Sequence, residues 1–134
     1  SPLSELVWLL CGHLSPTAAP ASSKDLRNSH RIKSMLRCIH AQFGSELTTV
    51  AIAASASISE SECLRCFRKT IGTTPIQYLK QYRIRQAAKL LTETSEKVCS
   101  IAENCGFQDM SYFTKAFREQ MGCTPTQYRK NASP

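Results

Sequence analysis

Long apolar runs are missing from this chain. The longest, Leu6 to Cys11, spans six residues, against the roughly twenty that a membrane-crossing helix needs. No basic stretch precedes it as in a secretory signal, so a cytoplasmic protein with no membrane partner is expected. Strand-like alternation of polar and apolar residues is absent, which leaves an all-α fold. Catalytic constellations are missing too. His13, His30 and His40 have no Ser, Cys or Asp arranged around them, and 134 residues leave no room for a large catalytic fold. No catalytic residue and no cofactor is expected.

Acidic residues are few. Seventeen Lys and Arg face ten Asp and Glu, for a net charge of +7 and a pI near 9.2. Residues 1–22 hold a single charge, Glu5, so the remainder carries seventeen bases and nine acids, or +8. Such a balance points to an anionic partner. The seven cysteines are an odd number, mostly at apolar positions of helical patterns, which fits reduced thiols better than a disulfide framework. Cys63-x-x-Cys66 has no second Cys pair and no nearby His to complete a zinc tetrad. Both thiols are expected in the core, with no metal. Only Cys11 and Cys38 lie upstream, too few for a zinc domain of the DNA-repair methyltransferase kind.

A stretch that occurs twice organises the rest. Phe67 to Tyr78 reads FRKTIGTTPIQY and Phe117 to Tyr128 reads FREQMGCTPTQY, fifty residues apart with seven of twelve positions identical. In each copy a glycine, Gly72 or Gly122, can end a helix in the left-handed conformation. Thr74-Pro75 and Thr124-Pro125 then supply an N-cap and a first helical residue, with Gln77 and Gln127 at the capping-box position.

Around these punctuation marks the helices can be read off. Leu3, Leu6, Val7, Leu10 and Leu14 share a face of a short N-terminal helix, followed by the linker SPTAAPASS at 15–23. Residues 1–23 are expected to be the tail of a missing domain or a dimerisation element, the apolar face at 3–14 meeting a preceding segment or a second subunit, or else folding onto the chain's own core. A helix from Ser23 or Lys24 to Gly44 buries Ile32, Met35, Leu36, Ile39 and Phe43. Thr48 or Thr49 caps a short helix, Val50 to Ala56, and the capping box Ser59–Glu62 opens another that ends before Gly72. Short helix, tight turn and second helix make a helix-turn-helix, here within 24–74. A helix over 75–92, from Pro75 to about Leu91, has no Gly or Pro inside it and forms a rigid spacer. The pattern recurs over 93–134: Val98 to Cys105, a turn at Gly106 to Asp109 one residue longer than the first, Met110 to Met121, and Pro125 to Lys130. Ser95 is the expected cap of Val98 to Cys105.

These units resemble the DNA-binding domain of the AraC/XylS family of bacterial transcription regulators. The resemblance rests on Ile101-Ala102 with Gly106-Phe107, on SYFTKAF at 111–117, on G-x-TP-x-x-YR at 122–129, and on Arg83, Ala87, Leu90 and Leu91 of the joining helix. It implies two helix-turn-helix subdomains on one linker helix, a homeodomain-like arrangement that reads double-stranded DNA in successive major-groove segments. It also implies a transcription activator for which RNA polymerase is a further partner. A basic helical module that contacts polymerase or a partner subunit is the rival reading.

The side opposite the apolar stripe of each second helix would face bases. In the first unit this leaves Ser61, Glu62, Leu64, Arg65 and Arg68. Arg65 is the strongest candidate, because a guanidinium can fork onto guanine O6 and N7. Glu62 is awkward there, since it is also the expected capping-box partner of Ser59. Tyr112 or Phe113 turns inward in the second unit, leaving Met110, Ser111, Thr114, Lys115 and Arg118. Thr48, Thr49, Lys97, Arg129 and Lys130 are expected on phosphates, and Arg83 either on a phosphate or as a brace between subdomains.

Overall fold

The computed structural model describes residues 22–132, which form helices and no strand. In chain order they are α1 (Ser23–Gln42), α2 (Thr49–Ser55), α3 (Glu60–Thr70), α4 (Pro75–Glu93), α5 (Val98–Asn104), α6 (Met110–Met121) and α7 (Pro125–Ala132). The helix expected at 3–14, and any dimer contact through it, lie outside the described residues.

Most helix starts follow from local chemistry. Thr48 accepts a hydrogen bond from the Ala51 amide at 3.1 Å, Ser59 from Glu62 at 3.2 Å, Thr74 from Gln77 at 3.2 Å and Thr124 from Gln127 at 3.2 Å. Each hydroxyl satisfies a first-turn amide that has no partner within its helix. Gln127 closes the reciprocal bond to the Thr124 amide at 3.0 Å. A further capping box, Ser22 with Asp25, starts α1. Ser95 does not cap α5: Lys97 holds that position, with no side-chain cap.

Two hydrophobic clusters fill the molecule, and α4 serves both. Its first half sends Tyr78 and Leu79 into a core built with Ile32, Met35, Ile39, Ile52 and Phe67. The second half sends Ile84, Ala87 and Leu91 into a core with Ile101, Phe113 and Phe117. At 1.5 Å per residue the 19 residues of α4 span about 28 Å. Phe43, just past α1, packs against both clusters. Cys63 and Cys66 sit in the first core as expected, and burial pushes the Cys63 thiol up to about 11, with Cys66 and Glu60 adding to the shift.

The seam between the two units is tight. A Cβ on Gly44 would lie 2.6 Å from the Asn104 carbonyl oxygen, and one on Gly106 would lie 2.7 Å from both Arg83 Nε and the Phe43 carbonyl oxygen. Gly106 also has φ +92°. The matching position of the shorter first turn is Ser57, at φ 56°.

His40 ties α1 to α4. Its Nε2 lies 2.8 Å from the Tyr78 hydroxyl, and its ring stacks on Tyr82 at 4.5 Å. Burial lowers its pKa from 6.5 and raises that of Tyr78, so both groups favour their neutral forms. The unfolded chain therefore binds a proton on this imidazole more readily than the folded one does. Its contribution to stability is complete above the unfolded value of 6.5 and is lost as pH falls toward the lowered folded value. Melting temperature should fall between about pH 7 and pH 5. His40→Gln, which keeps an acceptor for Tyr78 without titrating, should flatten that slope; an unchanged slope would count against His40 as its source.

Candidate nucleic-acid interface

α3 and α6 each bury one stripe and expose another. Cys63, Cys66 and Phe67 face the first core, and Phe113, Ala116 and Phe117 the second. Tyr112, the alternative to Phe113, is half exposed. The helical repeat turns the residues between these stripes outward. Ser61, Leu64, Arg65 and Arg68 are exposed on α3, and Met110, Ser111, Lys115 and Arg118 on α6, with Thr114 half-buried among them.

The α6 set comes together as one open groove of about 650 Å³, lined by Met110, Ser111, Thr114, Lys115, Arg118 and Glu119. All five residues expected on this helix share it. Asp109 accepts from the Ser111 and Tyr112 amides, at 2.8 and 3.3 Å, and so fixes the start of α6.

A second cleft, of about 540 Å³, lies between the units, with Thr48, Gln77, Lys80, Gln108 and Tyr112 among its lining. Lys80 Nζ stands 5.4 Å from the Tyr112 ring centroid, a cation–π contact. Gln108 donates to Glu46 across the cleft at 3.1 Å. Lys80, on the joining helix, escaped the sequence reading, and Tyr112 entered it only as an alternative core residue, since no local pattern marks the contact between them.

Two expectations meet a different geometry, and one open choice narrows. Glu62 does not turn back to close the capping box on Ser59. Its carboxylate sits between two guanidinium groups, with Oε1 3.4 Å from Arg31 Nη1 and Oε2 3.3 Å from Arg65 Nη1. Arg129, expected on a phosphate, turns inward: Nε donates to the Leu91 carbonyl at 3.0 Å and an Nη to that of Thr94 at 3.3 Å. A cation is favourable there because the carbonyls at the end of α4 carry the negative pole of the helix. Arg83, for which a brace and a phosphate contact were both open, is placed as a brace. Its Nε donates to the Phe43 carbonyl and Nη2 to that of Ser45, both at 2.7 Å. Burial lowers its pKa, and the nearby Cys105 and Tyr112 oppose the shift.

Among the other phosphate candidates, Thr48, Lys97 and Lys130 are exposed and Thr49 is half-buried. The Thr48 oxygen accepts from Ala51, which leaves its hydroxyl proton to donate. Lys97 leaves the first-turn amides of α5 without a side-chain partner.

A family model described as a helix-turn-helix domain matches residues 52–131. The chain belongs to the AraC-type helix-turn-helix family. This AraC-type domain is 35% identical over 106 residues to YdeC, an uncharacterised transcriptional regulator of Bacillus subtilis, covering 79% of this chain and 36% of the relative. RhaR of Mannheimia succiniciproducens, a transcriptional activator, is 30% identical over 127 residues, covering 95% of this chain and 46% of the relative. Both relatives are more than twice as long as the stretch they share with this domain. The DNA-binding domain of AdpA, solved in complex with a target DNA, superposes with a TM-score of 0.70 at 27% identity, over 76% of this chain and 91% of that one. The all-α, two-subdomain architecture expected from the repeat is the architecture of this family, and double-stranded DNA binding goes with it. No helix among the described residues is long and apolar enough to cross a membrane.

Proposed function

We propose that the chain is the sequence-reading part of a transcription activator, with α3 and α6 inserted into successive major-groove segments on one side of the duplex. The observation that carries this is the pair of exposed, basic helix faces mounted on one continuous α4. Arg65 and Arg68 lead the first face, Lys115 and Arg118 the second. Two helices meet one side of B-DNA when spaced by about one turn, roughly 34 Å, and the length of α4 plus the flanking helix widths is of that order. Ser61, Leu64, Met110, Ser111 and Thr114 supply the shorter-range contacts. Thr48, Thr49, Lys97 and Lys130 hold the backbone. The likeness to an activator, RhaR, supports activation. A cytoplasmic location, a contact with RNA polymerase and a homodimer formed through residues 3–14 or a preceding domain belong to the same proposal.

Selection of bound duplexes from a random pool tests it. Enriched sites should carry two fixed patches one turn apart; a single patch would reduce one unit to a scaffold. On the enriched site Arg65→Ala should cost about 1 to 3 kcal/mol and relax one base position. Lys97→Ala should weaken all sequences alike and lower the salt slope by about one. An Arg65→Ala loss that is equal for every sequence would make Arg65 a phosphate ligand.

A further inference from the structure

The carboxylate of Glu62 stands in the first turn of the helix that would enter the groove, where a negative charge repels phosphate. Three facts define what it does there. Its backbone amide is held by the Ser59 hydroxyl at 3.2 Å, but its carboxylate makes no return bond to the Ser59 amide, so the side chain is free of the cap. Its two oxygens bridge Arg31 of α1 and Arg65 of α3, at 3.4 and 3.3 Å. Side-chain exposure rises outward through the trio, from 24% at Arg31 and 32% at Glu62 to 73% at Arg65.

From this geometry we infer that Glu62 is a specificity-determining residue: it holds Arg65 in a base-facing posture and offsets its charge toward duplexes of the wrong sequence. The inference rests on the DNA-reading role proposed above. Nη1 of Arg65 is the corner nearest Glu62, which leaves the Nε–Nη2 edge for a side-on fork to guanine O6 and N7. An arginine tethered in this way loses less side-chain freedom when it meets the correct base. Binding to a mismatched duplex instead relies on bare cations displacing counterions from phosphates. There the carboxylate leaves the trio with a net charge of +1 rather than +2, and adds repulsion.

The test uses the whole 134-residue chain with two duplexes, the site enriched by the wild-type protein and a scrambled version of it, titrated over a range of salt. Glu62→Gln should bind the scrambled duplex more tightly, with a salt slope steeper by about one. The ratio of enriched-site to scrambled affinity should fall about tenfold. Glu62→Asp, which keeps the charge, should retain the weak scrambled binding and the shallower slope. If Glu62→Gln weakens both duplexes equally, or leaves the ratio and slope unchanged, the inference is overturned; it is also overturned if Glu62→Asp behaves as Glu62→Gln does. If the wild-type protein enriches no sequence at all, the DNA-reading role fails first and takes this inference with it.

Discussion

Gly106→Ala is expected to lower the stability of the folded chain by about 3 kcal/mol, while the same change at Gly72 or Gly122 should cost only about 1 to 2 kcal/mol. All three glycines have positive φ, at +92°, +90° and +86°, so the conformational cost of a side chain in the left-handed region is common to them. The surroundings differ. Nothing lies within 4 Å of a Cβ added to Gly72 or Gly122, whereas at Gly106 it meets the Arg83 guanidinium and the Phe43 carbonyl. Neither can yield cheaply, because each is the other's hydrogen-bond partner at 2.7 Å. Ser57 shows that the left-handed conformation alone is tolerated at the same turn of the first unit. Urea unfolding of the three variants would measure the difference. Equal losses at Gly106 and Gly72 would mean that the seam relaxes freely.

The legible and illegible parts of this molecule separate by sequence distance. Helix starts at Thr48, Ser59, Thr74 and Thr124 were readable because a cap and its amide lie within three residues of each other. The inward stripes of α3 and α6 were readable because helical periodicity fixes them locally, and the choice between Tyr112 and Phe113 stayed open only because neighbouring positions differ by a fraction of a turn. The roles of Arg83, Arg129 and Glu62 were not readable. Arg83 reaches a carbonyl 40 residues away, Arg129 one 38 away, and Glu62 meets an arginine 31 away. Such contacts depend on the angle at which packed helices dock, and no short spacing encodes that angle. A basic residue near a helix end reads equally well as a phosphate ligand or as a cap for another helix. The arginines that the sequence assigns to DNA thus divide into two kinds: Arg83 and Arg129 hold the protein together, while Arg65, Arg68 and Arg118 remain exposed on the reading faces.

On the proposed reading of DNA by α3 and α6, Arg83 is the residue expected to set their mutual phase. Its fork fixes the chain just past α1, in the first unit, to the middle of α4, next to Ile84 of the second core. Arg83→Met keeps the apolar stem, removes both 2.7 Å bonds and should cost about 1.5 to 3 kcal/mol of stability. Arg83→Lys should rescue little, since an ammonium cannot reproduce the planar fork. The larger effect is expected on DNA. Inserting one base pair between the two patches rotates the second by roughly 35° and shifts it by about 3.4 Å, which a rigid two-headed reader cannot follow. Wild-type protein should therefore discriminate sharply against the lengthened site. In Arg83→Met, affinity for the normal site should fall by about tenfold or more, and the penalty for the insertion should shrink, because a loosened seam lets each helix find its own patch. A merely destabilised protein would lose affinity for both sites in proportion and keep the ratio. An unchanged ratio would assign the phase to the stiffness of α4 and the shared packing of Phe43, with Arg83 reduced to a cap on the end of α1.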